Sequence, residues 1–242
     1  MLFCVTLQPV VGRLPRNKTM RSGGAQKIPR PDTARVINEN PFAGLSADEL
    51  DALNSLAKVS SALAEFRPDP QFQTPQASAR PSAVLIGLFQ STRGVEVILT
   101  RRSQELTNHR GEISFPGGRL DDGETVTAAA LRETQEEIGI DPREAQIIAE
   151  LNGMATVVSN SHIVPVVAKY KLMPRMQPMN GEVDRVFTVP LRELTRADTY
   201  SQEYWEFPDR QLQINFFYLD DETIWGATAR MLLQVMKLTL KL

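Results

Sequence analysis

The chain is poor in the residues on which disulfide-stapled and thiolate-metal proteins depend. Its 242 residues include one cysteine, Cys4, and two histidines, His109 and His162. One cysteine excludes an intrachain disulfide and points to a reducing compartment, for which the cytoplasm is the expectation. Two histidines are too few for a histidine metal centre, and both read as structural. No apolar run approaches the ~20 residues that a membrane-spanning helix needs, so no membrane partner is expected. An excess of positive charge is also missing. With 27 Lys and Arg against 29 Asp and Glu, the net charge of −2 argues against nucleic acid as the main partner. No internal repeat is visible.

One absence is local. Residues 1 to 31 contain no acidic side chain, whereas Arg13, Arg16, Lys18, Arg21, Lys27 and Arg30 are all basic. That pattern admits an organellar transit peptide, or a misplaced start with Met20 as a later initiator; the reading preferred is a disordered basic leader over 1–45. Residues 46–81 follow as a helix capped by Ser46 and running to about Glu65, then a linker from Pro68 to Pro81 rich in Pro, Gln and Ser. Leu50, Leu53, Leu56 and Leu63 give that helix an apolar face, suited to packing on the domain or to a homodimer. Residues 82–242 are expected to form the main domain, with strands near 83–89, 95–100, 147–151, 163–170 and 213–218.

What is present is concentrated between Gly118 and Ile140, GRLDDGETVTAAALRETQEEIGI. Thr125 is suited to an N-cap, residues 126–138 contain no proline, and Gly139 suits the left-handed position that ends a helix. On that helix Glu133, Glu136 and Glu137 stand at i, i+3 and i+4 and share one face. Ala128, Leu131, Thr134 and Ile138 fall on the opposite face, which should pack on a sheet. Exposed like charges at this spacing cost about 0.2–0.5 kcal/mol per pair. A divalent cation among them removes that cost, because hard cations take carboxylate oxygens. Arg132 lies beside the cluster and is placed to orient one of its members. The helix is preceded by Phe115-Pro116-Gly117-Gly118, a glycine turn that lets backbone approach a ligand closely.

Gly118-x5-Glu124-x7-Arg132-Glu133-Thr134-x-Glu136-Glu137-x-Gly139-Ile140 resembles the Nudix box, the signature of a superfamily of diphosphate hydrolases. Thr134 departs from it, standing where the pattern prefers an aliphatic residue. The resemblance implies an α/β fold, an α/β/α sandwich with a mixed β-sheet. It also implies hydrolysis of a nucleoside diphosphate linked to a further moiety, a small-molecule substrate. By the same analogy Glu133, Glu136 and Glu137 hold Mg²⁺ or Mn²⁺, the Gly117 carbonyl is an additional ligand, and Arg132 belongs to the catalytic group. The general base in such enzymes is the residue matching Glu133 or one outside the box.

Upstream, Leu99-Thr100-Arg101-Arg102-Ser103 through Gly111 to Phe115-Pro116-Gly117-Gly118 is similar to the motif LLTxR-[SA]-xxx-R-xxx-G-xxx-FPGG of coenzyme A diphosphatases. Thr107 replaces its second arginine, and Arg110 lies three residues on. The similarity implies that Arg101, Arg102, Ser103 and Arg110 bind substrate, since coenzyme A carries a 3′-phosphate besides its diphosphate and arginine pairs with phosphate bidentately. Downstream, Glu182 in EVDRVFTVPL reads as a late carboxylate for the metal or, with slight preference, as a structural cap. Ile224 to Ala229, IWGATA, resembles the start of the family's final helix, with Trp225 in the core. Three functions stay open: coenzyme A diphosphatase, a Nudix hydrolase of ADP-ribose, a nucleotide sugar or a dinucleotide, and a non-catalytic nucleotide sensor. The intact glutamates speak against the last.

Overall fold

The computed structural model describes residues 20–37, 39–75, 78–156 and 160–242. Cys4, with Arg13, Arg16 and Lys18 of the expected leader, lies outside them. In chain order the elements are β1 (Arg35–Ile37), α1 (Ala47–Leu50), α2 (Leu56–Glu65), β2 (Arg80–Ser91), β3 (Gly94–Arg102), β4 (Ile113–Ser114), β5 (Gly117–Arg119), α3 (Val126–Ile138) and β6 (Gln146–Glu150). There follow β7 (Met154–Ala155), β8 (Ser161–Tyr170), β9 (Val183–Pro190), β10 (Tyr200–Phe207), β11 (Arg210–Tyr218), β12 (Thr223–Trp225) and α4 (Gly226–Leu240).

The central sheet is mixed, as expected. β2 runs parallel to β8 from Arg80↔Ser161 to Phe89↔Tyr170, while β6 and β7 pair antiparallel with β8, and β9 with β3. β2 and β3 form a hairpin that is paired only from Leu88↔Val97 to Ser91↔Gly94. Beyond Leu88 they part. β4 then pairs with β3 through Thr100↔Ser114, and β5 pairs with β2 through Val84↔Gly117. The glycine turn therefore crosses between two splayed strands. Alternation along β2 builds both faces of the sandwich. Ala83, Leu85 and Phe89 pack with Ala129, Ala130 and Ile138 of α3, and Val84, Ile86 and Leu88 join a core shared with α2 and α4.

The buried face of α3 is shifted from the expected one. Ala129 and Ala130 are buried and Ala128 is exposed, so the helix meets the sheet through two of its three alanines and approaches closely. The segment from Ser46 is also not one helix. A capping box starts α1, a 3-10 turn spans Asp51–Asn54, and Ser55, in extended conformation, caps α2. Leu53 and Leu63 are fully buried in the chain's own core. At roughly 1.5–3 kcal/mol for each such side chain, that face is committed within the subunit and is not a dimer surface. The Pro- and Gln-rich stretch is pinned as well. The Asp69 amide donates to Asn152, and the Gln73 side chain bonds Leu151 and Gly153.

The disordered leader expected over 1–45 is corrected for its described part. β1 pairs with β10, at the edge of a second, antiparallel sheet ordered β1-β10-β11-β12. Met20, Ile28 and Ala34 cover an aromatic core of Trp205, Phe216 and Tyr218. Trp225 stacks on Phe216 with centroids 6.4 Å apart and an interplanar angle of 9°, so it is core, as expected. Two of its basic residues, Arg21 and Arg30, have acidic partners far along the chain, and that of Arg30 is buried. Arg30 Nε donates to both Glu203 oxygens at 2.9 Å, and Glu203 is 1% exposed. Arg30→Ala would leave that carboxylate with only the Trp205 N–H. Loss of one partner of a buried pair costs about 3 kcal/mol. Urea denaturation should show such a drop for Arg30→Ala, and much of it should return in Arg30→Leu/Glu203→Leu; an unchanged midpoint for Arg30→Ala would return the segment to the status of a leader.

Candidate active site

The site is built where α3 meets the turn between β4 and β5. Helix α3 begins as expected, with Thr125 Oγ1 accepting the Ala128 N–H at 3.2 Å, and ends on Gly139 at φ +76°. Gly117 and Gly118 lie under it. A Cβ on Gly117 would meet the Ala83 carbonyl at 2.3 Å and Val84 Cα at 2.6 Å, backbone that cannot yield. At Gly118 the same atom would sit 2.3–2.7 Å from the Glu133 carboxylate. Two residues without side chains are therefore what bring the helix carboxylates down to the sheet.

Glu137 is the deepest of these carboxylates, 4% exposed, and it accepts the Gly117 N–H at 3.3 Å. Burial pushes it up to about 8, against the opposing pull of that N–H and of Arg102. Glu133 is raised too, by burial first, and then by the charges of Glu136 and Glu182. Glu182 acts on both glutamates, so this residue, for which a structural cap was preferred, belongs electrostatically to the cluster. Its position in the EVDRVF segment was the signal.

Arg132 has every donor engaged. Nε and Nη2 grip Glu124 at 3.0 and 2.9 Å, Nη2 also reaches the Arg119 carbonyl, and Nη1 donates to Glu133 at 3.0 Å and Glu136 at 3.2 Å. Glu124 in turn accepts the Asp121 amide at 3.0 Å and is lowered from its ordinary value, chiefly by the hydrogen bond from Arg132. Arg132 thus orients Glu133, as expected. Glu136 turns outward with it, its side chain 56% exposed. Glu133 and Glu137 are brought together; Glu136 is not drawn in with them. Among the described residues no three carboxylates or histidines stand in a ready-made metal cage. The donor set nevertheless fits a hard divalent cation: oxygen atoms only, two of the carboxylates raised by burial, and a Cβ-free cradle against Glu133. At Gly117 the contact is made by the amide, holding Glu137.

The arginines divide. Arg102, at the end of β3, faces Glu137 and Glu182; its Nη2 lies 4.0 Å from Glu182, and its buried Nε has no hydrogen-bond partner. Arg101 donates instead to Glu222 at 2.9 Å, a carboxylate 2% exposed that also takes Arg185 and Gln26. Ser103 is buried: its hydroxyl accepts the Glu105 amide and its own amide donates to the Glu182 carbonyl at 2.7 Å. Arg110 is exposed in the following loop and makes no ion pair among the described residues. His109 pairs with Glu112, and His162 is buried at the start of β8.

Residues 79–211 match the family model described as NUDIX domain. The chain belongs to the Nudix hydrolase family. It is therefore an enzyme of the diphosphate-hydrolase class acting on a nucleoside diphosphate derivative. It is 33% identical over 172 residues to Nudix hydrolase 3 of Caenorhabditis elegans, covering 64% of this chain and 72% of that one. To "Nudix hydrolase 15, mitochondrial" of Arabidopsis thaliana it is 32% identical over 211 residues, covering 81% and 68%. A crystal structure of a C. elegans Ap4A hydrolase binary complex aligns at 21% identity with TM-score 0.40, over 46% of this chain and 80% of that one. No helix among the described residues of this Nudix hydrolase is long and apolar enough to cross a membrane.

The raised Glu137 makes stability pH-dependent. Its unfolded carboxyl titrates near 4.5 and the folded one near 8, so between those values the native state holds a proton that the unfolded chain has lost. Stability from this group is present below 4.5 and declines as pH rises towards 8. Without divalent metal, Tm should therefore fall over that window in the wild type and fall less in Glu137→Gln. Added Mg²⁺ or Mn²⁺ should recover the wild type at pH 8 and not the variant. Parallel pH profiles for the two proteins would refute the assignment.

Proposed function

We propose that this Nudix hydrolase cleaves the diphosphate of coenzyme A or its derivatives, giving adenosine 3′,5′-bisphosphate and 4′-phosphopantetheine or its acyl form. The observation that carries the reading is Arg102. A guanidinium with a buried, unpartnered Nε, beside the buried Glu137 and the half-exposed Glu182, is a cation awaiting an anion. It occupies the arginine position of the Thr100-Arg101-Arg102-Ser103 segment that resembles the coenzyme A motif. A phosphate oxygen would satisfy the Nε and one Nη together.

Mg²⁺ or Mn²⁺ held by Glu133, Glu136 and Glu137 would neutralise the diphosphate and acidify water. The chain's own residues do the rest. Arg102 fixes one phosphoryl group, Arg132 holds Glu133 in place, and Glu133 takes the proton as water oxygen bonds to phosphorus and the bridging oxygen leaves. A second reading, hydrolysis of ADP-ribose, a nucleotide sugar or a dinucleotide, draws on Thr107 in place of the second arginine and on Arg101 being committed to Glu222.

A panel of coenzyme A, dephospho-coenzyme A, ADP-ribose, NADH and diadenosine polyphosphates, with product masses recorded, separates the two. Coenzyme A should be preferred and split at its diphosphate; preference for ADP-ribose with coenzyme A untouched would exclude the first reading. Glu137→Gln should cut turnover by orders of magnitude. Arg102→Ala should raise KM for coenzyme A by about tenfold or more, the worth of a hydrogen bond to a charged group.

A further inference from the structure

A cleft of about 270 Å³ opens between α4, Phe72 and the turn at Asn152 and Gly153 that joins β6 to β7. Its size is near the lower end for pockets that take small molecules. Met154 and Leu233, which line it, are buried in the core shared by α2 and α4, whereas α3 packs on the core of the opposite sheet face. The cleft is thus separate from the carboxylates of α3. Its charge has one sign. Arg230 and Lys237 stand on α4 with Gln234 between them, at i, i+4 and i+7, and share one face. Among the described residues none of these three side chains has an ion pair or hydrogen bond, and no Asp or Glu lines the cleft. Asn152 gives Oδ1 to the Asp69 amide at 2.9 Å, which leaves its own N–H donors unspent, and Asp69 turns its carboxylate to Gln71. Phe72 keeps 41% of its surface exposed. Against Gly153 stands Nε2 of His162, a residue 6% exposed, and that nitrogen has no hydrogen-bond partner; a Cβ on the glycine would meet it at 2.6 Å.

We propose that this cleft is a second ligand site and takes a nucleoside monophosphate. Its phosphate pairs with Arg230 and Lys237, its base lies on Phe72, and the amides of Asn152 and Gln234 meet its polar edge. Each part of the lining asks for one part of that ligand. Two cations with no acid beside them select an anion, and a guanidinium suits phosphate in particular. Seven helical residues set the two about 10 Å apart along the axis, a span that their long side chains close around one phosphate. An exposed ring beside apolar side chains is a stacking surface for a planar base. Inorganic phosphate would leave the ring and the apolar lining unused, and an uncharged nucleoside would leave the cations unpaired. The reaction of this enzyme supplies such a ligand, because hydrolysis of a nucleoside diphosphate derivative between its two phosphorus atoms releases a nucleoside phosphate.

Isothermal titration of the full chain with AMP, adenosine and inorganic phosphate tests the site. EDTA is present throughout, to remove the divalent metal through which the α3 carboxylates would hold phosphate. AMP should bind at least tenfold tighter than either adenosine or phosphate. Arg230→Gln/Lys237→Gln should weaken AMP about tenfold or more, as expected for loss of charge-assisted hydrogen bonds. Neither side chain is buried, so the fold should be kept, and an unchanged Tm checks this. Phe72→Leu should weaken AMP by a smaller factor, and Arg102→Ala should leave its affinity unchanged. AMP binding lost in Arg102→Ala and kept in Arg230→Gln/Lys237→Gln would assign it to the catalytic site and overturn the proposal. Phosphate bound as tightly as AMP, or no heat from AMP at millimolar concentration, would overturn it as well.

Discussion

The contact between the Glu137 carboxylate and the Gly117 amide is the constraint around which the site is arranged. It requires a helix carboxylate to reach backbone in the middle of a sheet, which an ordinary helix–sheet packing distance does not allow. Three features make it reachable: alanines at 129 and 130 on the contact face, glycines at 117 and 118, and the parting of β2 from β3. The last has its own support. β2 can leave its hairpin partner because β8 pairs with it along almost its whole length, and β5 takes up the freed edge. An uncompensated carboxylate in such a place is expensive. Its burden is tolerated because Ala129, Ala130 and Ile138 bury apolar surface on the same helix, and a cation would remove it.

Three arginines around this point show how the same side chain serves different ends. Arg132 spends all of its donors on Glu124, Glu133, Glu136 and a carbonyl, so it cannot bind substrate and must act by holding others. Arg101 is likewise spent, on Glu222. Arg102, its neighbour, keeps an unbonded Nε against the carboxylates. Successive strand residues point to opposite faces, so these two arginines belong to different environments although the sequence sets them side by side. Both lie in β3, which is a strand through Arg102.

That difference illustrates what was legible in the chain and what was not. The helix from Thr125 to Gly139 was readable almost to the residue, because capping, propensity and termination are local and every signal for them sits in one segment. The apolar strands were readable for the same reason. β10 was not: Glu203 and Glu206 interrupt its pattern, and Glu203 is acceptable inside only because Arg30 reaches it from 173 residues away. The basic stretch looked like a leader for the complementary reason, since its acidic partners are remote. Within the site, Glu133, Arg132 and the glycine turn followed from spacing. The outward turn of Glu136 depends on a competition for Arg132 that spacing does not reveal, and Glu182 approaches from another strand.

The remote contacts bear on the site as well. Gln26 and Arg185 join Arg101 on the buried Glu222, so one carboxylate ties the N-terminal segment, β9 and the end of β3 together. At that same end the pairing of β3 with β9 slips by a residue between Arg101 and Arg102. The unpaired extra residue is Asp184 of β9, so it is β9 that bends beside Arg102. Anchoring Arg101 on the far side of the strand fixes one wall of the bulge, and the Ser103 amide bonded to the Glu182 carbonyl fixes the other. The surroundings of Arg102 are therefore fixed from both sides, by Glu222 outside the site through Arg101 and by the Glu182 backbone through Ser103.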